Sequence, residues 1–137
     1  MIERSPASSE VRAIPVRTLV TIVDDDESVR ESLPDLLKEL GFDVRTFSSA
    51  LEFLNSSDIL TTRCLLLDVS MPGMSGPELQ LELSSRGEKI PIIFITARVD
   101  EAVRRQLLVR GAVDCLFKPF SEQQLRAALD KAIKPIP

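Results

Sequence analysis

The sequence has no histidine, no tryptophan and no tyrosine, and only two cysteines among its 137 residues. Without histidine, a serine–histidine–aspartate triad, a histidine-ligated metal site and a phosphohistidine carrier are excluded. The cysteines, Cys64 and Cys115, stand alone inside apolar runs and form no CxxC pair, so we expect two buried, reduced thiols. With neither tryptophan nor tyrosine, base stacking on single-stranded nucleic acid has little support.

Charge and hydropathy narrow the class of protein further. The formal net charge is −4, and the lack of a dense run of lysine and arginine argues against nucleic acid or an anionic membrane as a direct partner. No apolar run approaches the roughly 20 residues of a membrane span. Residues 1–15 have no apolar segment typical of a secretory signal. We therefore expect a cytoplasmic protein.

The distribution of apolar residues divides the chain. Residues 1–17 have few apolar residues and no periodicity, which predicts a flexible N-terminal extension. One domain is expected over 18–134, with 135–137 as a tail or the start of a linker. Within the domain, five short runs alternate with amphipathic segments, and three of the runs are almost wholly apolar, as in strands covered on both faces. The predicted strands are 19–23, 43–47, 64–68, 92–96 and 114–117.

The amphipathic segments carry signals of helix ends. Capping boxes or an early proline predict helix starts at Ser49, Pro77 and Ser121. Glycine predicts helix ends at Gly41, Gly87 and Gly111.

Two helices carry further expectations. In the first, over 27–40, Pro34 removes a hydrogen bond at a cost of up to ~3 kcal/mol. We expect a continuous helix with a kink there, with two short helices as the alternative. In the fourth, near 99–110, we expect ion pairs between Asp100 and Arg104 and between Glu101 and Arg105.

Five successive βα units predict a parallel sheet with helices on both faces, an α/β doubly wound fold. Ligands of such sheets bind beyond the carboxyl ends of the strands. Four of the five strands deliver a charged or hydroxyl side chain to that edge. These side chains are Asp24, Asp25 and Asp26 after strand one, Asp68 in strand three, Thr96 in strand four and Lys118 after strand five. Each alone has an ordinary explanation as a helix cap, a local hydrogen bond or a solvated turn, but their joint position predicts a site.

Electrostatics indicates what this site binds. If strands one and three are neighbours, their carboxylates crowd together, and two unit charges 4 Å apart repel by about 4 kcal/mol at an effective dielectric constant near 20. A cation relieves this repulsion, and an all-oxygen, histidine-free ligand set suits Mg²⁺, with Mn²⁺ as an alternative. The residues therefore predict phosphoryl transfer to Asp68, with Thr96 placed to bond the phosphate and Lys118 to neutralise its charge.

The segments VDDDESVR, LLLDVSMPGMSG, IIFITA and GAVDCLFKPF resemble the signatures of CheY-like response regulator receiver domains, especially those of FixJ-type transcriptional regulators. The resemblance covers roughly 18–134 and implies a flavodoxin-like (βα)5 fold with strand order 2-1-3-4-5. It implies a two-component signalling protein that accepts a phosphoryl group from a sensor histidine kinase and so switches its output surface. Such a phosphoacceptor takes part in its own phosphorylation and dephosphorylation but is not a classical enzyme.

The resemblance also assigns roles at the acidic end of the site. Asp24 and Asp25 would be the acidic pair, with Asp25 the direct metal ligand. Asp68 would be the phosphoacceptor and a second metal ligand, and the backbone carbonyl of Ser70 would complete the protein ligands. Asp26 gains no role and is expected to cap a helix.

The remaining roles belong to strands four and five. Thr96 would be the switch hydroxyl, and Lys118 would pair with the phosphate, oriented by a cis peptide before Pro119. As a separate hypothesis, Arg98 partly covers the acyl phosphate and affects its hydrolysis. Cys115 departs from the family, which usually has an aromatic residue three positions before this lysine. Either the output switch is unusual, or a smaller buried residue leaves it unchanged.

Two other functions fit parts of the pattern. Asp24–x–Asp26 partly matches the nucleophile motif of haloacid-dehalogenase-like phosphatases, but the further acidic motif is missing from the 19 residues after Lys118. A receiver-like interaction module that is never phosphorylated is the second. The resemblance also leaves open a homodimer through helix four, strand five and helix five. The sequence does not decide between a stand-alone receiver and a fragment of a regulator with a C-terminal DNA-binding domain.

Overall fold

The computed structural model describes residues 17–133, so most of the predicted N-terminal extension and the predicted tail lie outside the described residues. The five strands begin and end where the sequence predicts. They are β1 (Leu19–Val23), β2 (Asp43–Phe47), β3 (Cys64–Asp68), β4 (Ile92–Thr96) and β5 (Asp114–Phe117). All neighbouring strands are parallel, and the sheet order β2-β1-β3-β4-β5 confirms the predicted doubly wound topology.

Helices cover both faces of this sheet. They are α1 (Glu27–Glu39), α2 (Ala50–Leu54), α3 (Gly76–Ser85), α4 (Glu101–Val109) and α5 (Glu122–Ala132), with a short 3-10 helix at Ser57–Leu60. One core lies between the sheet and α1 with α5, and a second core lies between the sheet and α2, α3 and α4. Both cysteines are buried and free, as predicted, with Cys64 in the first core and Cys115 in the second.

Local sequence signals explain most of the helix ends. Ser75 and Ser121 form complete capping boxes at the starts of α3 and α5. At α2, Ser49 caps the helix as predicted, but the Glu52 carboxylate accepts from the Ser48 N–H instead of closing the box on Ser49. Three helices end in a left-handed glycine followed by a Schellman pair of backbone hydrogen bonds. These glycines are Gly41, Gly87 and Gly111.

The expectation of a continuous first helix is confirmed, and the expectation of ion pairs within the fourth helix is not. α1 is a single helix that continues through Pro34, so the alternative of two short helices is wrong. The ion pairs predicted within α4 are also wrong. Asp100 caps the helix by accepting from the Ala102 and Val103 N–H groups, and Arg104 lies 3.8 Å from Glu101 and 3.7 Å from Asp114 of β5. An N-cap carboxylate satisfies backbone donors that would otherwise lack partners, which a surface ion pair cannot do.

No helix within residues 17–133 has both the length and the apolarity needed to cross a bilayer.

Candidate functional site

The carboxyl ends of β1 and β3 bring three carboxylates together. Asp24, Asp25 and Asp68 each offer an oxygen atom, and these atoms lie within 4.8 Å of one another. Asp24 is fully buried and Asp68 is 7% exposed, whereas Asp25 is exposed. This is the cluster expected from the sequence, and it forms because β1 and β3 pair directly in the sheet.

Asp24 is held in place by its neighbours. One carboxylate oxygen accepts from the Asp26 N–H at 2.9 Å, and the other accepts from Lys118 Nζ at 2.8 Å. Arg30 Nη1 of α1 donates to the Asp24 backbone carbonyl at 2.8 Å. Both carboxylate oxygens of Asp24 accept hydrogen bonds, and the residue has no exposed surface, so its side chain is held in one position. The carboxylate of Asp25 is exposed and therefore more accessible to a ligand.

Lys118 reaches the cluster from β5, 94 residues after Asp24 in the chain. The peptide bond between Lys118 and Pro119 is cis, as the resemblance implies. Burial acts to lower the pKa of Lys118, but the hydrogen bond and charge of Asp24, and the charges of Asp68 and Asp26, outweigh burial and raise the pKa. The ammonium group is therefore a fixed positive charge beside the carboxylates at neutral pH.

Asp68 lies where its ionised form is disfavoured. Burial first, and then the negative charge of Asp24, raise the pKa of Asp68 to about 7, although Lys118 acts in the opposite direction. Among residues 17–133, the one backbone donor to its side chain is weak, because the Ser70 N–H lies 3.4 Å from Oδ1. A cation or a second positive group near this carboxylate would restore its charge.

Gly76 holds the loop after β3 against Asp68. The Gly76 N–H donates to the Val69 carbonyl at 3.0 Å. A Cβ atom added at Gly76 would overlap the backbone carbonyl oxygen of Asp68 and crowd the ring of Phe94. The absence of a side chain at Gly76 therefore lets α3 begin directly behind Asp68.

Thr96 completes the edge of the site from β4. It is 7% exposed, and its Oγ1 accepts from the Arg98 N–H at 3.2 Å. Together with Asp68, Lys118 and other residues of the strand ends, Thr96 and Arg98 line an open pocket of ≈ 280 Å³. The structure thus brings every sequence-predicted site residue to one pocket or its immediate wall.

Asp26 has the role of a helix cap, as the sequence predicts. Its side chain accepts from the Ser28 N–H at 3.0 Å and from the Ser28 hydroxyl at 2.8 Å. These hydrogen bonds lower the pKa of Asp26. Arg30 is a part of the site that local sequence does not indicate, because an arginine one turn into a helix carries no signal of such a contact. Gly76 ends the quoted segment LLLDVSMPGMSG, but nothing local shows that its missing Cβ faces the Asp68 carbonyl.

The donor set fits a magnesium ion. The three clustered residues offer only carboxylate oxygens, and no histidine or thiol lies among them. Hard oxygen ligands with space left for water are what Mg²⁺ prefers.

Comparison with known proteins places this chain in a family. The family model described as the response regulator receiver domain matches residues 20–130. The response regulator protein TmoT of Ectopseudomonas mendocina is 43% identical over 120 residues, which cover 88% of this chain and 54% of TmoT. The structure of response regulator StyR superposes with a TM-score of 0.80 at 44% identity, over 87% of this chain and 60% of StyR. That of FixJ-N superposes with a TM-score of 0.78 at 35% identity, over 90% of this chain and 98% of FixJ-N.

A parallel sheet in the order 2-1-3-4-5 with an acidic cluster at its carboxyl edge defines a CheY-like receiver fold. This chain belongs to the response regulator receiver domain family, and its relatives include FixJ-type regulators of two-component systems. Phosphoryl acceptance is the standard function of that family. Its members interact with histidine kinases and generally use Mg²⁺ in an acidic pocket. The chain spans about half the length of the curated relatives that it matches.

Proposed function

We propose that Asp68 is the residue that accepts the phosphoryl group, with Mg²⁺ held by Asp25, Asp68 and the backbone carbonyl of Ser70. The observation that carries this proposal is the gathering of the Asp24, Asp25 and Asp68 carboxylates within 4.8 Å of one another, beside Lys118. Asp24 supports the cluster as the second member of the acidic pair. Mg²⁺, or Mn²⁺ in its place, would neutralise charge on the transferring group.

Asp68, Lys118 and Thr96 each have a separate role in the proposed phosphoryl transfer. An oxygen of Asp68 forms the new bond to phosphorus while the bond from phosphorus to the donor histidine of the kinase breaks. Lys118 exchanges its hydrogen bond with Asp24 for one with the phosphate. Thr96 turns its hydroxyl from the Arg98 N–H toward a phosphate oxygen. Both side chains already lie in the pocket that contains Asp68.

The geometry disfavours the phosphatase alternative. Such an enzyme would attack with Asp24, which has no exposed surface and whose two carboxylate oxygens accept hydrogen bonds from the Asp26 N–H and from Lys118 Nζ. Its second acid would be Asp26, which caps α1. The proposal therefore includes no classical turnover, although Asp68 takes part in its own phosphorylation and dephosphorylation.

Phosphate uptake from acetyl phosphate tests the proposal. Wild type should become labelled only with Mg²⁺ present, and Asp68→Ala should take up no phosphate. Asp26→Asn is the matched control, because it changes another aspartate at the same edge and asparagine still caps a helix. Labelling of Asp24, undiminished labelling of Asp68→Ala, or no labelling of wild type would each refute the assignment.

Arg98 is proposed to cover part of the acyl phosphate and so to affect its hydrolysis. Its backbone N–H bonds Thr96, and the residue lines the pocket that contains Asp68. Arg98→Ala should change the rate of dephosphorylation, measured as loss of label after the donor is removed. An unchanged rate would refute this role.

The proposed partners are a sensor histidine kinase in the cytoplasm and, after phosphorylation, a second copy of the receiver domain over 18–134. The candidate dimer face comprises α4, β5 and α5. Asp114 of β5 forms ion pairs with both helices of this face, at 3.7 Å from Arg104 of α4 and 3.3 Å from Lys131 of α5. Beryllofluoride with Mg²⁺ should shift wild type toward a dimer in light scattering, and Asp68→Ala should stay unchanged. No direct contact with nucleic acid is proposed for these residues.

A further inference from the structure

A partly enclosed cavity of ≈ 130 Å³ lies on the α4 side of the sheet, beside the acidic pocket. Its buried residues are Thr96, Leu107 and Cys115, and exposed residues such as Arg98 and Asp100 also line it. We therefore take the buried residues as its floor and the exposed residues as its mouth. Thr96 lines both spaces, but none of the three clustered carboxylates lines the cavity.

The small side chain of Cys115 accounts for the space. In the sheet register, Cys115 pairs with Phe94 and Phe117 pairs with Thr96. Cys115 and Phe117 lie two residues apart on β5, so both face α4, and both line the cavity. Protein interiors are close-packed and contain few voids larger than a water molecule. A thiol between Leu107 and Phe117 therefore leaves a volume that a larger side chain would fill.

The lining determines the chemistry of a ligand. Val103, Leu107, Cys115 and Phe117 present apolar surface. The Thr96 hydroxyl already accepts from the Arg98 N–H, and Arg104 already lies near Glu101 and Asp114. The other charged residues of the lining, Arg98 and Asp100, are exposed at the mouth, so they do not neutralise a charge on a ligand at the buried floor, where an unpaired charge is costly.

We propose that this cavity binds a small, uncharged and mainly apolar molecule of about the size of one aromatic ring. Apolar cavities of about 150 Å³ are known to bind benzene or xenon. A molecule in the cavity would contact Thr96 and α4 at the same time. Its binding does not depend on the phosphorylation proposed for Asp68, so the two proposals can fail separately.

The test titrates the unphosphorylated, metal-free protein with benzene while methyl resonances are followed by NMR. Wild type should show saturable shifts of the Val69, Val103 and Leu107 methyl groups. Cys115→Phe should lose these shifts, because the ring occupies the cavity. Cys64→Ala is the matched control, since it removes the other thiol from the opposite core and should keep the wild-type response. Xenon serves as a second probe and should shift the same methyl groups.

Absence of saturable shifts in wild type, or equal shifts in Cys115→Phe, would overturn the proposal. If Cys115→Phe does not fold, Val103→Phe fills the same space from α4, where Val103 is 37% exposed and a larger side chain is tolerated more easily. Retention of the full response in Val103→Phe would then overturn it equally.

Discussion

If Asp68 accepts the phosphoryl group as proposed, its carboxylate must be ionised to attack phosphorus, yet burial and the charge of Asp24 oppose its ionisation. Lys118 relieves only part of this opposition, because its hydrogen bond goes to Asp24. A cation bound at the site would therefore favour the ionised form of Asp68. The carboxylates that would need the cation are also the neighbours of the Asp68 oxygen that is proposed to accept the phosphoryl group.

This residue predicts a pH dependence of stability without metal. The pKa of Asp68 is about 7 in the folded protein against an ordinary value of 3.8, so the folded state binds a proton between these values and the unfolded state does not. The free energy of unfolding should therefore fall as pH rises from about 4 to about 7. Asp68→Asn should lack this loss and become more stable than wild type by about 1–3 kcal/mol at neutral pH, after allowance for solvent screening in an open pocket.

Urea denaturation of both proteins at several pH values, with a chelator present, measures this difference. Asp26→Asn is the control, because Asp26 has a lowered pKa and its replacement should not reproduce the pattern. A difference between wild type and Asp68→Asn that stays constant from pH 4 to 7 would contradict the prediction.

At the scale of the element, the start of α3 packs directly against Asp68 at Gly76. Gly76→Ala should destabilise the protein by about 1–3 kcal/mol, because its Cβ overlaps the Asp68 carbonyl and must displace the start of α3. Phosphate uptake should fall in parallel. Gly73→Ala in the loop just before α3 is the control, since Gly73 has a positive φ of 75° but nothing near its missing Cβ. It should cost about 1–2 kcal/mol through backbone strain and leave uptake closer to wild type.

Thermal unfolding and acetyl phosphate labelling of the two variants provide the comparison. If Gly76→Ala labels as fast as wild type, the close approach of α3 to Asp68 is not needed for the site.

The elements were largely predictable, and their long-range contacts were not. Strand bounds such as Cys64–Asp68 follow from apolar runs that local sequence displays directly. Glycine helix ends such as Gly41 follow from backbone sterics for the same reason. The strand order came from the family resemblance rather than from such local patterns. The bond of Lys118 to Asp24, rather than to Asp68, depends on which of several clustered acids is most buried. That choice is a property of the assembled pocket.

The same limit explains the wrong ion pairs of α4. A spacing of four residues predicted an ion pair between Arg104 and Asp100. The Asp100 carboxylate instead caps the helix by accepting a backbone N–H, and Arg104 lies near Asp114 of β5. The cavity beside Cys115 could not be predicted from the sequence either. The sequence indicated a small residue where the family has a large one, but only the packed α4 shows that the space stays open.

At the scale of the whole molecule, the doubly wound topology collects charges that lie far apart in the chain. Asp24, Asp68 and Lys118 lie at the ends of the first, third and fifth strands, and the parallel order β2-β1-β3-β4-β5 brings the carboxyl ends of these strands to the same side of the sheet. Global stability is therefore linked to a local cluster of charge. Any ligand that binds the folded cluster and not the unfolded chain must raise the stability of the entire domain.

Mg²⁺ should show this linkage in thermal unfolding. At a concentration 100 times its Kd, Mg²⁺ should stabilise wild type by about 2.7 kcal/mol. Asp25→Asn should be more stable than wild type without metal, because one carboxylate of the cluster no longer repels the others, and it should gain little from Mg²⁺. Asp43→Asn is the matched control, since Asp43 is an exposed aspartate of β2 outside the cluster, and it should respond to Mg²⁺ like wild type. If repulsion among the carboxylates is the cause, wild type and Asp25→Asn should change rank in stability when Mg²⁺ is added. Destabilisation of metal-free Asp25→Asn would mean that the carboxylates do not strain the fold.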